Sequence, residues 1–192
     1  MNIFVLNEDP VIAAQEQCDK HIVKMITESA QMLCTVHRLL DGKMVRKPSK
    51  DGKRMLKYWC LYEGSDDLEA ELTFMKAVHP GHPCTVWTAE SSANYEWHWK
   101  HYNALIDEYN YRYGNSKGKE HGAARLRYIL RTLPRNIPIG PMTKFKLAMG
   151  SNPECMFPDD PVKSYRLFYQ TKQDRFKMSW TKREVPEWFV VR

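Results

Sequence analysis

The chain has 192 residues, 43% of them apolar and 12% aromatic, which is enough for one compact domain with a sizeable core and too apolar for disorder. A formal charge of +6 favours an anionic partner such as nucleic acid over an acidic protein. Five cysteines without paired short spacings, no run of membrane-spanning length and no basic flank at the start point to a cytoplasmic protein that needs no membrane.

In chain order, Asn2–Leu6 is a short apolar run, expected as a buried strand or extended segment. Asp9–Leu40 is predicted as one long helix, capped by Asn7 or Asp9, with Pro10 in its first turn and Asp41-Gly42 at its end. Its apolar stripe is Ala14, Cys18, Ile22, Met25, Met32, Val36 and Leu39. Residues 43–57 form a basic loop or loose hairpin, with Lys43, Arg46, Lys47, Lys50, Lys53, Arg54 and Lys57 against Asp51 alone. Asp66–Val78 reads as a short helix on Leu68, Leu72 and Met75, followed by the rigid turn His79-Pro80-Gly81-His82-Pro83.

A second long helix is predicted over Thr88–Tyr113, stopping at Gly114-Asn115, and a third over Lys119–Leu133. Residues 134–158 form a long irregular connection rich in Pro, Gly and Met. Asp159-Asp160-Pro161 opens a last helix to about Phe176, and residues 177–192 are a C-terminal tail. The fold class expected is mainly α: a single compact helical domain over 1–192 with long irregular connections.

A second, polar stripe carries the functional signal. Gln17, His21, Lys24, Glu28 and Gln31 step by four, three, four and three along one side of the first helix. The bland alternative is a solvated face with an ordinary i,i+4 Lys–Glu pair. As the floor of a cleft, the row sets a carboxylate, an amine and an imidazole together. Glu28 would be the acid or base, Lys24 a Schiff-base nucleophile and His21 a third catalytic group.

Substrate-binding candidates are Gln17, Gln31, His82, Trp87, Asn94, Trp97 and Arg112. A Trp ring stacks on a nucleobase while an Asn amide pairs with its edge. Arg112, with Lys117, could hold a phosphate. The Lys163–Arg183 region interleaves bases with Tyr165, Phe168, Tyr169, Phe176 and Trp180, which fits a nucleic-acid surface and equally an amphipathic helix with a charged back. Cys18 with His21, or Cys34 with His37, could join His79, His82 and Cys84 in a zinc set, but closer Cys pairs are absent and no metal or cofactor is expected. A Gly-rich phosphate loop, G-x-S-x-G, H-E-x-x-H and C-x-x-C are all missing.

Phe4, the run Lys24-x-x-x-Glu28-x-x-Gln31-x-Leu33, the turn His82-Pro83 leading to Trp87, and the Tyr/Trp helix ending at Gly114 resemble pyrimidine-dimer DNA glycosylases over roughly the first 115 residues. The whole chain, including Gly140-Pro141-Met142-Thr143 and residues 181–189, more closely resembles a family of small tailed-bacteriophage proteins, a likeness that supplies no function. The glycosylase likeness implies a mainly helical fold and an amine that attacks C1′ of a damaged nucleotide while a Glu on the first long helix assists; Glu28 carries that role. It also implies the α-amine of the residue after the initiator Met as nucleophile. Here that residue is Asn2, whose bulk normally leaves Met1 in place, so Lys24 is the alternative amine.

The expected function is therefore a phage-type, DNA-base-directed enzyme: an N-glycosylase with a possible AP-lyase step, in the cytoplasm of an infected host. A base-modifying transferase and a non-catalytic nucleic-acid-binding accessory protein are the alternatives. DNA or a nucleotide is the expected partner.

Overall fold

The computed structural model describes residues 1–114 and 120–192. Among these it is mainly α, with seven α-helices and one two-stranded sheet. The elements are α1 (Pro10–Gln15), α2 (Asp19–Asp41), β1 (Lys43–Pro48), β2 (Met55–Cys60), α3 (Leu61–Ser65), α4 (Leu68–Thr73), α5 (Pro83–Glu90), α6 (Ser92–Tyr113) and α7 (Pro161–Gln170). The long helices α2 and α6 pack on each other, with α1 against α6 and α5 in contact with both long helices. One continuous apolar cluster joins these helices to the N-terminal segment, the irregular connection and α7.

Short polar side chains start the helices by accepting their free N–H groups. Asp9 accepts from Val11 and Ile12, His82 from Cys84, Ser91 from Asn94 and Asp160 from Lys163. Pro10, Pro83 and Pro161 occupy first helical positions, where a missing N–H costs nothing.

The helix predicted over Asp9–Leu40 is two helices. Cys18 is extended (φ −71°, ψ 163°), and the cause is tertiary. The Cys18 N–H donates to the Tyr169 hydroxyl at 2.9 Å, and Asp19 N–H to the Ser179 carbonyl at 2.8 Å. A continuous helix would have spent both on the carbonyls one turn back. The predicted Thr88–Tyr113 helix is likewise divided. Ser91 is extended (φ −154°, ψ 159°) and caps α6, while Ser92 N–H turns out to the Pro138 carbonyl.

The helix expected over Lys119–Leu133 does not form where the chain is described; 3-10 turns at Gly122–Leu126 and Ile129–Arg131 replace it. The reason lies on α6. Tyr102 OH, Trp99 Nε1 and Tyr95 OH donate to the carbonyls of Ala123 (2.6 Å), Arg127 (3.1 Å) and Leu130 (2.9 Å). These tertiary bonds satisfy acceptors that an α-helix would satisfy internally.

The helix expected over Asp66–Val78 is only α4. The one expected to reach Phe176 ends at Gln170 and continues as a 3-10 turn, Thr171–Asp174. The basic segment is an ordered hairpin in register from Lys43↔Cys60 to Pro48↔Met55. Residues 177–192 are docked rather than loose: Trp180 and Phe189 are buried, and Trp180 Nε1 donates to the Glu16 carbonyl.

Asn2–Leu6 is buried extended chain that belongs to no sheet among the described residues. Phe4 takes a left-handed φ of 45° and its N–H bonds Asn2 Oδ1 at 2.9 Å, so the segment hooks sharply. That hook brings Met1 and Asn2 against α2. No helix among the described residues is long and apolar enough to cross a membrane.

Candidate functional site

Hydrogen bonds hold the N-terminal hook in place. Asn2 Nδ2 donates to the Ala148 carbonyl at 3.1 Å, and the Asn2 backbone N–H donates to Glu28 Oε2 at 3.1 Å. The Met1 amino group stands 3.7 Å from the same oxygen. Lys24 Nζ lies 3.0 Å from Glu28 Oε1, one helical turn away along α2. One largely buried carboxylate thus gathers a backbone N–H, an α-amino group and a lysine.

These groups border a cavity of about 250 Å³. One side is the α2 row His21, Lys24, Met25 and Glu28, and another is Met1, Asn2 and Phe4. The third comes from the far end of the chain: Phe168, Lys172, Arg175 and Phe176. The space lies below the roughly 300–1,000 Å³ of pockets that hold drug-sized ligands, so it suits a small group rather than a large ligand.

His21 forms part of the wall. Its ring stacks on Phe4 with centroids 4.7 Å apart, and Nδ1 lies 2.7 Å from the Tyr169 hydroxyl. Burial, with Lys24 and Lys172 nearby, holds its pKa down to about 4. It is therefore a neutral imidazole at neutral pH. Lys172 is 7% exposed, with Nζ 3.4 Å from the centre of the Phe168 ring. Burial, then the charges of Arg175 and Lys24, lower its pKa to about 8 despite an opposing contribution from Cys155.

The remaining members of the predicted stripe separate from this site. Gln17 falls in the break between α1 and α2, fully buried, with Nε2 3.2 Å from His101 Nε2. Gln31 lies on α2 beyond Glu28, partly exposed, and does not line the cavity. His82 caps α5 and feels the charges of the Met1 amino group and Glu28, so it borders the Met1 end without lining the space.

The base pocket expected from Trp87, Asn94 and Trp97 is not formed. Trp87 is fully buried against Trp97 and Phe145, and its Nε1 donates to the Thr143 carbonyl. Asn94 Nδ2 donates to the Trp87 carbonyl and to Thr143 Oγ1, while Asn94 Oδ1 accepts from Thr143 N–H. Trp97 Nε1 donates to the Glu8 carbonyl, and its ring stacks on His101. These groups clamp the irregular connection and the α1 entry to α6, which leaves no face for a base.

Arg112 is committed too: it bonds Glu108, Asp19 and the Gln15 carbonyl at 2.7–2.9 Å. Its proposed companion Lys117 lies outside the described residues. Among the described residues no three His, Cys, Asp or Glu side chains converge as a ligand set. The five cysteines are buried and unbridged, and burial pushes the Cys34 and Cys84 thiols up to about 11.

Sequence reasoning missed Lys172, Arg175 and Phe168 as cavity residues. Their one signal was the interleaving of bases and aromatics in that region; the pairing with Glu28 spans more than a hundred residues of chain. No family model, curated protein or solved structure matches this chain.

Proposed function

We propose that this protein is a DNA-base-directed N-glycosylase in which Glu28 and an adjacent amine act at one deoxyribose. The observation that carries the reading is the amine–carboxylate pair: the Met1 amino group 3.7 Å from Glu28 Oε2, at the edge of a cavity sized for one sugar or base. The resemblance read in the sequence at Phe4, Lys24, Glu28 and Gln31 suggests the same chemistry.

In this mechanism the free-base amine attacks C1′ and the C1′–N bond breaks, its electron pair leaving with the base, which takes up a proton. The C1′–O4′ bond then breaks, O4′ taking the proton that the amine nitrogen gives up, as an iminium forms between that nitrogen and C1′. Water then hydrolyses the iminium, releasing the amine and an abasic sugar. Glu28 offsets the positive charge that develops at C1′, as a carboxylate does in glycoside hydrolysis.

Of the two amines at Glu28, Lys24 is 66% exposed and serves as its ion-pair partner, whereas the Met1 side chain is 7% exposed. With Met1 as first residue of the polypeptide, its amino group is the nucleophile. Were Met1 removed, the Asn2 nitrogen would be the free amine, already 3.1 Å from Glu28 Oε2. The carboxylate serves either.

Incubation with ultraviolet-irradiated or base-modified duplex DNA, followed by chromatography of released base, tests the proposal. Glu28→Gln keeps the shape of the site and is expected to lower base release by a factor of 100 or more, in the range of losing one preorganised charged group, with DNA binding intact. Full activity in Glu28→Gln, or binding without any base release by the unaltered protein across a panel of lesions, overturns it; the second outcome fits a binding protein.

A further inference from the structure

The cavity beside Glu28 holds more positive charge than its one carboxylate can balance. Lys24 is already paired with Glu28. Most of the Lys172 stem is buried, its Nζ lies over the Phe168 ring at the cavity wall, and the ammonium has no hydrogen-bond or ion-pair partner among the described residues. Arg175 also has no carboxylate partner among the described residues. Arg175 follows the 3-10 turn at Thr171–Asp174 as its C-cap, its N–H donating to the Lys172 carbonyl at 3.1 Å, and both residues line the cavity. An unpaired ammonium facing two further cations across the cavity meets only like charge. Such a group is favourable once an anion completes it.

We propose that Lys172 and Arg175, facing Lys24 across the cavity, form a subsite for a phosphodiester of the nucleic-acid backbone, adjoining the sugar that Glu28 addresses. The ammonium donates to one nonbridging oxygen and the guanidinium to another, a pairing matched by the planar fork of arginine. The assignment of a nucleic-acid phosphate rests on the function proposed above; the subsite itself rests on the unpartnered cations. Phe168 and Phe176 supply apolar wall beside these cations.

The test is the anisotropy of a fluorescent oligodeoxynucleotide carrying an abasic-site analogue, measured over a series of KCl concentrations. Lys172→Met keeps the stem over Phe168 while removing the charge. It is expected to weaken binding about ten- to a hundredfold and to lower the slope of log affinity against log salt by about one. Lys172→Arg is expected to restore much of the loss. Lys144→Met removes an equal charge away from this cavity and should change affinity less than threefold.

Wild-type affinity and salt slope in Lys172→Met would overturn the subsite. An equal loss in Lys144→Met would overturn it as well, leaving only bulk charge. Thermal melts of each variant identify loss from unfolding, and in that event Arg175→Gln on the exposed side of the subsite carries the test with the same expectations. Absence of base release with the Lys172 effect intact would defeat the glycosylase reading alone.

Discussion

Arg38 shows how this chain treats a buried charge that is meant to stay paired. It is 1% exposed, and its guanidinium donates to Glu71 Oε2 and to the carbonyls of Met75, Trp59, Glu71 and Phe74 at 2.7–3.1 Å. Every N–H of the fork has an acceptor, and α2 is thereby tied to β2 and α4. Arg38→Ala would leave Glu71 uncompensated and the carbonyls without donors. The expected loss is about 3–5 kcal/mol, or roughly 6–20 °C in Tm for a chain of this size, read by thermal melting. Arg38→Lys should not restore it, because an ammonium cannot span the fork. The contrast with the unpartnered Lys172 is the physical basis for reading one as scaffold and the other as site. Lys24, Glu28 and His21 could be brought together from sequence because they share a helix and its period. Gln17 could not be excluded, since the Tyr169 and Ser179 groups that break the helix before Asp19 lie about 150 residues away.

At the scale of elements, neutral histidines join neighbours: His37 on α2 meets Tyr95 on α6, His98 on α6 meets Thr88 on α5, and His101 on α6 meets Gln17 and the Pro10 carbonyl. Burial holds His37 on α2 and His101 on α6 down to about 4, and His98 on α6 down to about 3; His21 also lies at about 4. His37 is opposed by Asp41, and His101 by the Pro10 and Ile3 carbonyls, but burial prevails in both. His98 donates or accepts at Thr88 Oγ1, 2.8 Å away, while its Nε2 is buried without a partner. These folded pKa values lie below the ordinary 6.5, so between pH 6.5 and about 4 the unfolded chain binds more protons than the native one. Stability contributed by the neutral rings is complete above pH 6.5 and falls as pH drops through that window, each ring adding up to about 1.4 kcal/mol per pH unit. Thermal or urea melts from pH 7.5 to 4.5 should show this decline; a flat profile over that range would contradict it. The same helices show why element boundaries escaped the sequence. Tyr95, Trp99 and Tyr102 step by four and three along α6, a pattern that reads as core. Only their OH and NH tips, turned to carbonyls of residues 123–130, dissolve the predicted third helix.

At the scale of the whole molecule, the chain folds its two ends onto one helix. Residues 1–4 reach Glu28 from one side and residues 168–176 close the cavity from the other, with α2 between. The mainly α class was readable from periodicity, and the basic hairpin β1–β2 from composition. The meeting of residues 1–4 with residues 168–176 was not, because no local pattern encodes a contact between segments so far apart in the chain. Trp87 and Asn94 illustrate the complementary error: residue types suited to a base pocket were assigned to one, although burial had already used their polar groups. The cations of the hairpin are mostly exposed. What distinguishes the proposed amine mechanism from binding, or from release by an activated water, is whether the amine at Glu28 forms a bond to substrate. Borohydride reduction during incubation with damaged duplex DNA, followed by intact-mass measurement and peptide mapping, tests that directly. The result predicted is a covalent DNA adduct on the amino group of the chain's first residue, absent from Glu28→Gln. Base release with no trapped adduct, or an adduct mapped to a lysine away from this cavity, would contradict it.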